Sequence, residues 1–195
     1  MRIFLTVLVL IFSLQSFNKA DEIKSFEVEG ITIGDTLLRF YSEEQIANQS
    51  KPILYGGKKY YQWKQIFKTI ENETYDYVAL YYKADDKNYI IQKIAARIIF
   101  ENNIDECYVL QKNIINDINE ILFSASKTSL LKEKMPNFPQ GNSYQTTVYY
   151  KYKDGSYVGI WCLDFSKNDT NSKDRLSLVL NTKNYSDWLS SKNKK

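Results

Sequence analysis

The spacing of apolar positions changes repeatedly along the chain, and each change marks an element. After an uncharged apolar run from Ile3 to Leu14, Gly34-Asp35 precede Leu37, Leu38 and Tyr41 at helical spacing. Asp35 suits an N-cap, because its carboxylate can accept a bond from an orphan helix N–H. Ser42 and Gln45 in "SEEQ" form a second capping box, so the helix here breaks near Tyr41. Pro52 and Gly56-Gly57 read as a loop, and "KKYYQWKQIF" as a strand. From Tyr77 the period becomes two. Val78, Leu80 and Tyr82 alternate with Tyr77, Ala79 and Tyr81, the turn "ADDKN" follows, and Ile94, Ala96, Ile98 and Phe100 return against Lys93, Ala95 and Arg97. That is a β-hairpin.

Between Asp105 and Phe123 the period lengthens again. Cys107, Leu110, Ile114, Ile118, Ile121 and Leu122 share one helical face, and Gln111, Lys112, Asn116, Asp117 and Glu120 take the other. Asp105 and Glu106 open this helix, where its dipole favours negative charge. Residues 124–143 read as a connector holding Pro136, Pro139 and Gly141. "YQTTVYYKYKDGSYVGIWCLDF" reads as a second hairpin with Asp154-Gly155 in a type I′ turn. "DRLSLVLN" is a further strand, and "NYSDWLSSK" has room for one helical turn. The order of elements suggests two helix–meander halves, about 30–101 and 103–182. The expected fold class is α+β, an antiparallel β-sheet with two main helices packed on one face.

The N-terminus sets the compartment. Arg2, the short apolar run and Ala20 have the layout of a secretory signal peptide, residues 1–20, cleaved after Ala20. The run is too short for a spanning helix, which needs about 20 apolar residues. No stable membrane span is expected once it is removed. The expectation is one exported domain, 21–190, ending in a basic tail, 191–195, and placed in a bacterial periplasm or outside the cell. Removal of 1–20 takes away Arg2 and Lys19 and no acid, so the net charge falls from +3 to +1. A near-neutral chain lacks the basic excess of a nucleic-acid binder. The 16 tyrosines and abundant Lys, Asn and Ile have AT-rich codons, so base composition alone can account for them.

The compartment bears on Cys107 and Cys162, the chain's 2 cysteines. An even count in an exported chain favours a disulfide. If the long helix packs on the second hairpin, the two sulfurs can meet in the core. Two buried free thiols are the remaining alternative. Structural zinc prefers four Cys or His ligands, a redox pair the spacing Cys-x-x-Cys, and a cysteine nucleophile a nearby base. The chain has no histidine, which removes the commonest general base and most transition-metal sites.

Carboxylates are what remains for hydrolysis. Glu27 with Glu29 flanks a strand-like segment, Asp85-Asp86 sits in a predicted turn, and Asp164 is the one acid among the apolar neighbours of Cys162. Each has an ordinary role as a surface, turn or strand-end residue. No phosphate loop or calcium loop is spelled out. The expectation is no catalytic residue, no metal and no cofactor. The doubled tyrosines Tyr60-Tyr61, Tyr81-Tyr82 and Tyr149-Tyr150 are the most suggestive feature. In a strand, one member of each pair faces outward. Tyr61, Tyr82 and Tyr150 are the candidate aromatic surface, with Trp63 or Trp161 beside them.

"LIFSLQSFNKADEI", "FEVEGITIGDTLLRFYSEEQI", "YDYVALYYK", the Cys107 helix, "KDGSYVGIWCLDF" and the late "DWL" together resemble uncharacterised small exported proteins of AT-rich marine alphaproteobacteria. That likeness covers nearly the whole chain and implies no activity. "ITIGDTLL" followed by a meander is similar, more loosely, to the two-layer domains of outer-membrane assembly lipoproteins and of the β-lactamase inhibitor protein. Those are interaction modules, although the lipid-bearing cysteine of the lipoproteins is missing here. The resulting expectation is a non-catalytic exported domain that binds another macromolecule, an unknown protein or glycan. The alternative is a carbohydrate-binding or weakly hydrolytic envelope protein using surface tyrosines and Asp164.

Overall fold

The structure is a computed structural model describing residues 23–55, 58–67, 74–101, 103–122, 124–135, 142–167 and 172–192, with backbone only over 52–67. The expected signal segment and the bond after Ala20 lie outside the described residues, as do Gly56-Gly57, Pro136, Pro139, Gly141 and the last three residues of the tail.

The chain begins with a small hairpin, β1 (Glu27–Val28) and β2 (Ile31–Thr32). Its two-residue loop has positive φ at both positions, 52° at Glu29 and 72° at Gly30. This is the backbone of a type I′ turn. A 3-10 turn, Leu37–Arg39, and helix α1 (Glu43–Gln49) follow. The break near Tyr41 and the Ser42–Gln45 capping box are both present. Asp35 is not the N-cap. Thr36 caps the 3-10 turn, while Asp35 accepts a bond from the Thr32 amide at 3.0 Å and pairs with Arg39.

A meander comes next: β3 (Ser50–Tyr55), β4 (Lys58–Phe67), β5 (Tyr77–Lys83) and β6 (Ile91–Phe100). Pro52, expected in a loop, lies within β3. β3 is an edge strand, where a missing N–H costs no ladder bond on the open side. Helix α2 (Ile104–Ile121) then leads to β7 (Ser126–Lys127), β8 (Leu131–Lys134), β9 (Tyr144–Lys151), β10 (Tyr157–Asp164) and β11 (Asp174–Asn181). The supposed connector therefore contributes two short strands, both paired to β9. The Asp154-Gly155 turn is not type I′. Only Gly155 has positive φ, 86°, and its amide closes a four-residue turn onto the Tyr152 carbonyl at 3.0 Å. Asp154 instead accepts from the Ser156 amide and hydroxyl.

The main sheet is antiparallel in the order β3-β4-β5-β6-β11-β10-β9-β7, with β8 also on β9. The last strands of the two meanders, β6 and β11, pair at its centre. The α+β fold class holds, and the helices of both halves bury themselves on one face. Leu37 and Ile46 share a core with Ile115 and Ile118 of α2 and with Leu122 just past its end, beneath which lie Val78, Leu80, Ile94, Val148, Val158, Ile160, Leu178 and Leu180. Cys107 and Cys162 are bonded, fully buried, with Cα atoms 6.0 Å apart. The bond ties α2 to β10.

One polar residue breaks the expected helix pattern. Residue type puts Gln111 on the solvent side, but it is 2% exposed and faces the sheet. Its Nε2 donates to the carbonyls of Thr146 at 2.9 Å and Ile160 at 3.0 Å, and its Oε1 accepts from the Thr146 hydroxyl at 2.9 Å. The buried stripe is Cys107, Gln111, Ile115 and Ile118, with Leu110 and Ile114 at its margin.

The C-terminal segment makes more than one turn. Helix α3 (Lys183–Lys192) starts at Thr182, whose hydroxyl accepts from the Tyr185 amide at 3.2 Å and whose amide bonds the Gln92 carbonyl of β6. These ties fold α3 back over the sheet face opposite α2, where Tyr185 and Trp188 pack on Tyr81.

Candidate functional site

Strand alternation divides the sheet into two unlike faces. The face under α1 and α2 is apolar and closed. On the other face, α3 is the single helix among the described residues. The positions of that face on β5, β6, β11, β10 and β9 follow from the pairing registers. A middle row is small: Ala79, Ala95, Val179 and Gly159, with Tyr149 at its end. One flanking row reads Tyr77, Arg97, Ser177, Trp161, Thr147, and the other Tyr81, Lys93, Asn181, Tyr157, Lys151. Large half-buried side chains thus lean over a floor of small buried ones.

The aromatic and cationic groups of this face are packed together. Tyr149 meets Tyr157 edge-on at 5.3 Å and Trp161 at 6.2 Å between ring centroids. Gly159 makes room for the indole: a Cβ there would come within 2.6 Å of Trp161 Nε1. Lys93 Nζ stands 4.9 Å from the Tyr81 ring, 5.0 Å from Tyr185 and 5.9 Å from Trp161. Cation–π attraction favours the ammonium there. Burial, helped by the Arg97 charge, outweighs it and pulls the Lys93 pKa down to about 7. Arg97 donates to the Tyr77 hydroxyl at 2.6 Å, and the Arg175 guanidinium lies 4.7 Å from the Phe165 ring. Lys151 Nζ lies 5.8 Å from the Tyr149 ring. None of the face positions on these five strands is Asp or Glu. The neighbouring carboxylate, Glu133, is on edge strand β8.

The expected aromatic surface is corrected by this parity. Tyr82 and Tyr150 are each 1% exposed and belong to the closed core. Tyr82 donates to Ser50 Oγ at 2.9 Å, and Tyr150 donates to Asn119 Oδ1 at 2.7 Å beneath α2. They continue the stripes of Leu80 and Val148, which fixes them inward. Their partners Tyr81 and Tyr149 take the open face. Tyr61 and Trp63 lie where side chains fall outside the described residues.

Asp164 sits elsewhere. It ends β10 on the side of Cys162, and its Oδ2 accepts from the Tyr108 hydroxyl at 3.4 Å. Burial, then the charge of Asp174, raises the Asp164 pKa. Burial and the Asp164 charge push Tyr108 up to about 12, so it holds its proton at neutral pH. Asp174 Oδ1 accepts from the Phe165 amide at 2.7 Å, the work of a strand-end residue. The structure thus separates Asp164 from the tyrosines of the open face. Asp85 and Asp86 serve their turn: Asp86 accepts from the Asn88 and Ile90 amides, and Asp85 pairs with Lys83. Glu27 is exposed, and Glu29 occupies the β1–β2 turn. Among the described residues no group of three His, Cys, Asp or Glu could hold a metal ion, and no helix is long and apolar enough to cross a membrane.

Compared with protein-family models, curated proteins and solved structures, the chain matches none.

Proposed function

We propose that the protein is a non-catalytic binding module, exported to the periplasm or the cell exterior, and that its open sheet face docks another macromolecule. One observation carries the reading: helices from both halves cover one sheet face, while the other presents half-buried Tyr81, Tyr149, Tyr157, Trp161, Arg97 and Arg175. Aromatic residues and arginine are the types enriched where proteins bind. Export is supported by the signal-like N-terminus and by the buried disulfide, which persists in oxidising compartments. The alternative, carbohydrate binding through tyrosines with Asp164, has less support. Asp164 lies on the other side of the sheet, and the open-face rings present edges to one another and faces to Lys93, Arg97 and Lys151.

Photo-crosslinking in the native envelope tests the reading. A benzophenone amino acid at Tyr149 or Lys151 is compared with one at Lys112 or Glu120, on the exposed side of α2. The expected result is a discrete adduct from the open-face positions alone. Equal labelling from both sets, or none from either, contradicts the proposal.

A further inference from the structure

The open face carries a defect that a folded protein does not keep without reason. Arg97, Ser177 and Trp161 are direct cross-strand neighbours on β6, β11 and β10. Arg97 Nε, Ser177 Oγ and Trp161 Nε1 are all buried and, among the described residues, all lack a hydrogen-bond partner. Ser177 is 2% exposed as a residue. Directly opposed side chains in an antiparallel pair have Cβ atoms about 5 Å apart; from there the Arg97 guanidinium reaches the Tyr77 hydroxyl on β5, and the indole Nε1 lies over Gly159. Two of the atoms, the guanidinium and indole N–H groups, are donors only. Another donor cannot satisfy them. What is missing for these two is an acceptor, and leaving a buried donor unmet is destabilising.

The surroundings say which kind of acceptor. Lys93, Arg97, Arg175 and Lys151 share this face; none of its described positions on β5, β6, β11, β10 and β9 is Asp or Glu, and Glu133 stands at its edge on β8. Lys93 and Arg97 repel, which contributes to holding the Lys93 ammonium near neutrality. An incoming anion would relieve that repulsion as well as meet the donors. Neutral sugars offer no such relief, and the ring faces of Tyr77, Tyr81, Tyr149, Tyr185 and Trp161 are each met by a cation.

We infer that the row Arg97–Ser177–Trp161, with Lys93 beside it, receives a carboxylate side chain from an acidic segment of a partner protein. This rests on the reading of the open face as a docking surface. The half-buried Arg97 and Trp161 side chains form the lid over the row. They part as the segment enters, and the carboxylate takes the bonds that the fold leaves open. Lys151 and Arg175 meet further acids of the same segment.

The test uses the purified full domain with its disulfide intact and a blocked eight-residue Gly-Glu repeat peptide as probe. Nitrogen-15 NMR follows the Trp161 indole N–H and the amides of β6, β10 and β11. The expected result is saturable binding with Kd near 1 mM, as suits a few charged contacts. The Trp161 indole peak should move, and about 0.5 M salt should weaken binding at least tenfold. Lys151→Glu changes an exposed position without touching the fold and should weaken binding about tenfold. Arg97→Gln should abolish the indole shift while near-UV circular dichroism stays native. Equal binding of a Gly-Lys repeat, tighter binding of an oligogalacturonate, or no saturable shift at about 10 mM probe overturns the inference. If open-face crosslinks form in the envelope while the acidic probe fails, the inference falls and the docking reading stands. If both fail, both fall.

Discussion

Replacing Gln111 by leucine removes the one amide that joins α2 to the sheet by hydrogen bonds to two strands. Three bonds disappear: two from Nε2 to the Thr146 and Ile160 carbonyls, and one from the Thr146 hydroxyl to Oε1. Each is worth about 1 kcal/mol net in a buried setting. The Thr146 hydroxyl is then stranded, since Thr146 is 7% exposed. Leucine returns about 1 kcal/mol through added apolar burial and changes helix propensity little. The expected net loss is about 2 kcal/mol, which for a domain of this size lowers Tm by about 4–8 °C. Urea unfolding followed by tryptophan fluorescence measures it. Adding Thr146→Val removes the stranded hydroxyl, so the double variant should be less destabilised than the sum of the singles by about 1 kcal/mol. A Gln111→Leu loss below about 0.5 kcal/mol, or strict additivity in the double variant, refutes the buried bridge.

Three further outcomes follow from other parts of the fold. The Cys107→Ser, Cys162→Ser double variant, which opens a cross-link at a sequence separation of 55, should lose about 4 kcal/mol in chemical denaturation, and an unchanged midpoint refutes the staple. Gly159→Ala puts a Cβ 2.6 Å from Trp161 Nε1 and should cost about 1–3 kcal/mol while shifting the indole emission, so an unchanged spectrum contradicts the packing. Lys93 titrates near pH 7 when folded and near 10.5 when unfolded, so between those values the unfolded chain binds the extra proton. Stability should therefore rise with pH across that window, and Lys93→Met should flatten the rise. The groups facing Lys93 are Tyr81 on β5, Arg97 on β6, Trp161 on β10 and Tyr185 on α3. Equal pH profiles for parent and variant refute the burial of this amine.

Periodicity made the α+β class, both hairpins, the long helix and the disulfide legible, because each depends on apolar spacing or on compartment. The errors came where a polar residue does a core job. Gln111 reads as solvent-facing by residue type, yet it stands four residues from both Cys107 and Ile115, and that spacing was the available signal. The tyrosine pairs raised the same difficulty. Tyr82 and Tyr150 share parity with Leu80 and Val148, and their hydroxyls find partners inside, so the polar tip did not force them outward. The open face itself was hidden, since its rows are assembled from five strands by a β6–β11 pairing that no local pattern announces. The length of α3 is not legible locally because its helix is held by Thr182 and by packing on Tyr81, not by strong propensity. Gly159 before Trp161 was a usable clue, because residues two apart on a strand share a face.

The sheet face opposite α2 is proposed to be the one that docks a partner. Hydroxyl-radical footprinting in the native envelope, compared with the isolated protein, tests it most directly. Tyr149, Tyr157 and Trp161 on that face are read against Val109 on α2, which is 63% exposed, and Leu38, which is 41% exposed. The three aromatic residues should be oxidised severalfold more slowly in the envelope while Val109 and Leu38 react at unchanged rates. Protection of Val109 and Leu38 with Tyr149, Tyr157 and Trp161 unprotected would contradict it.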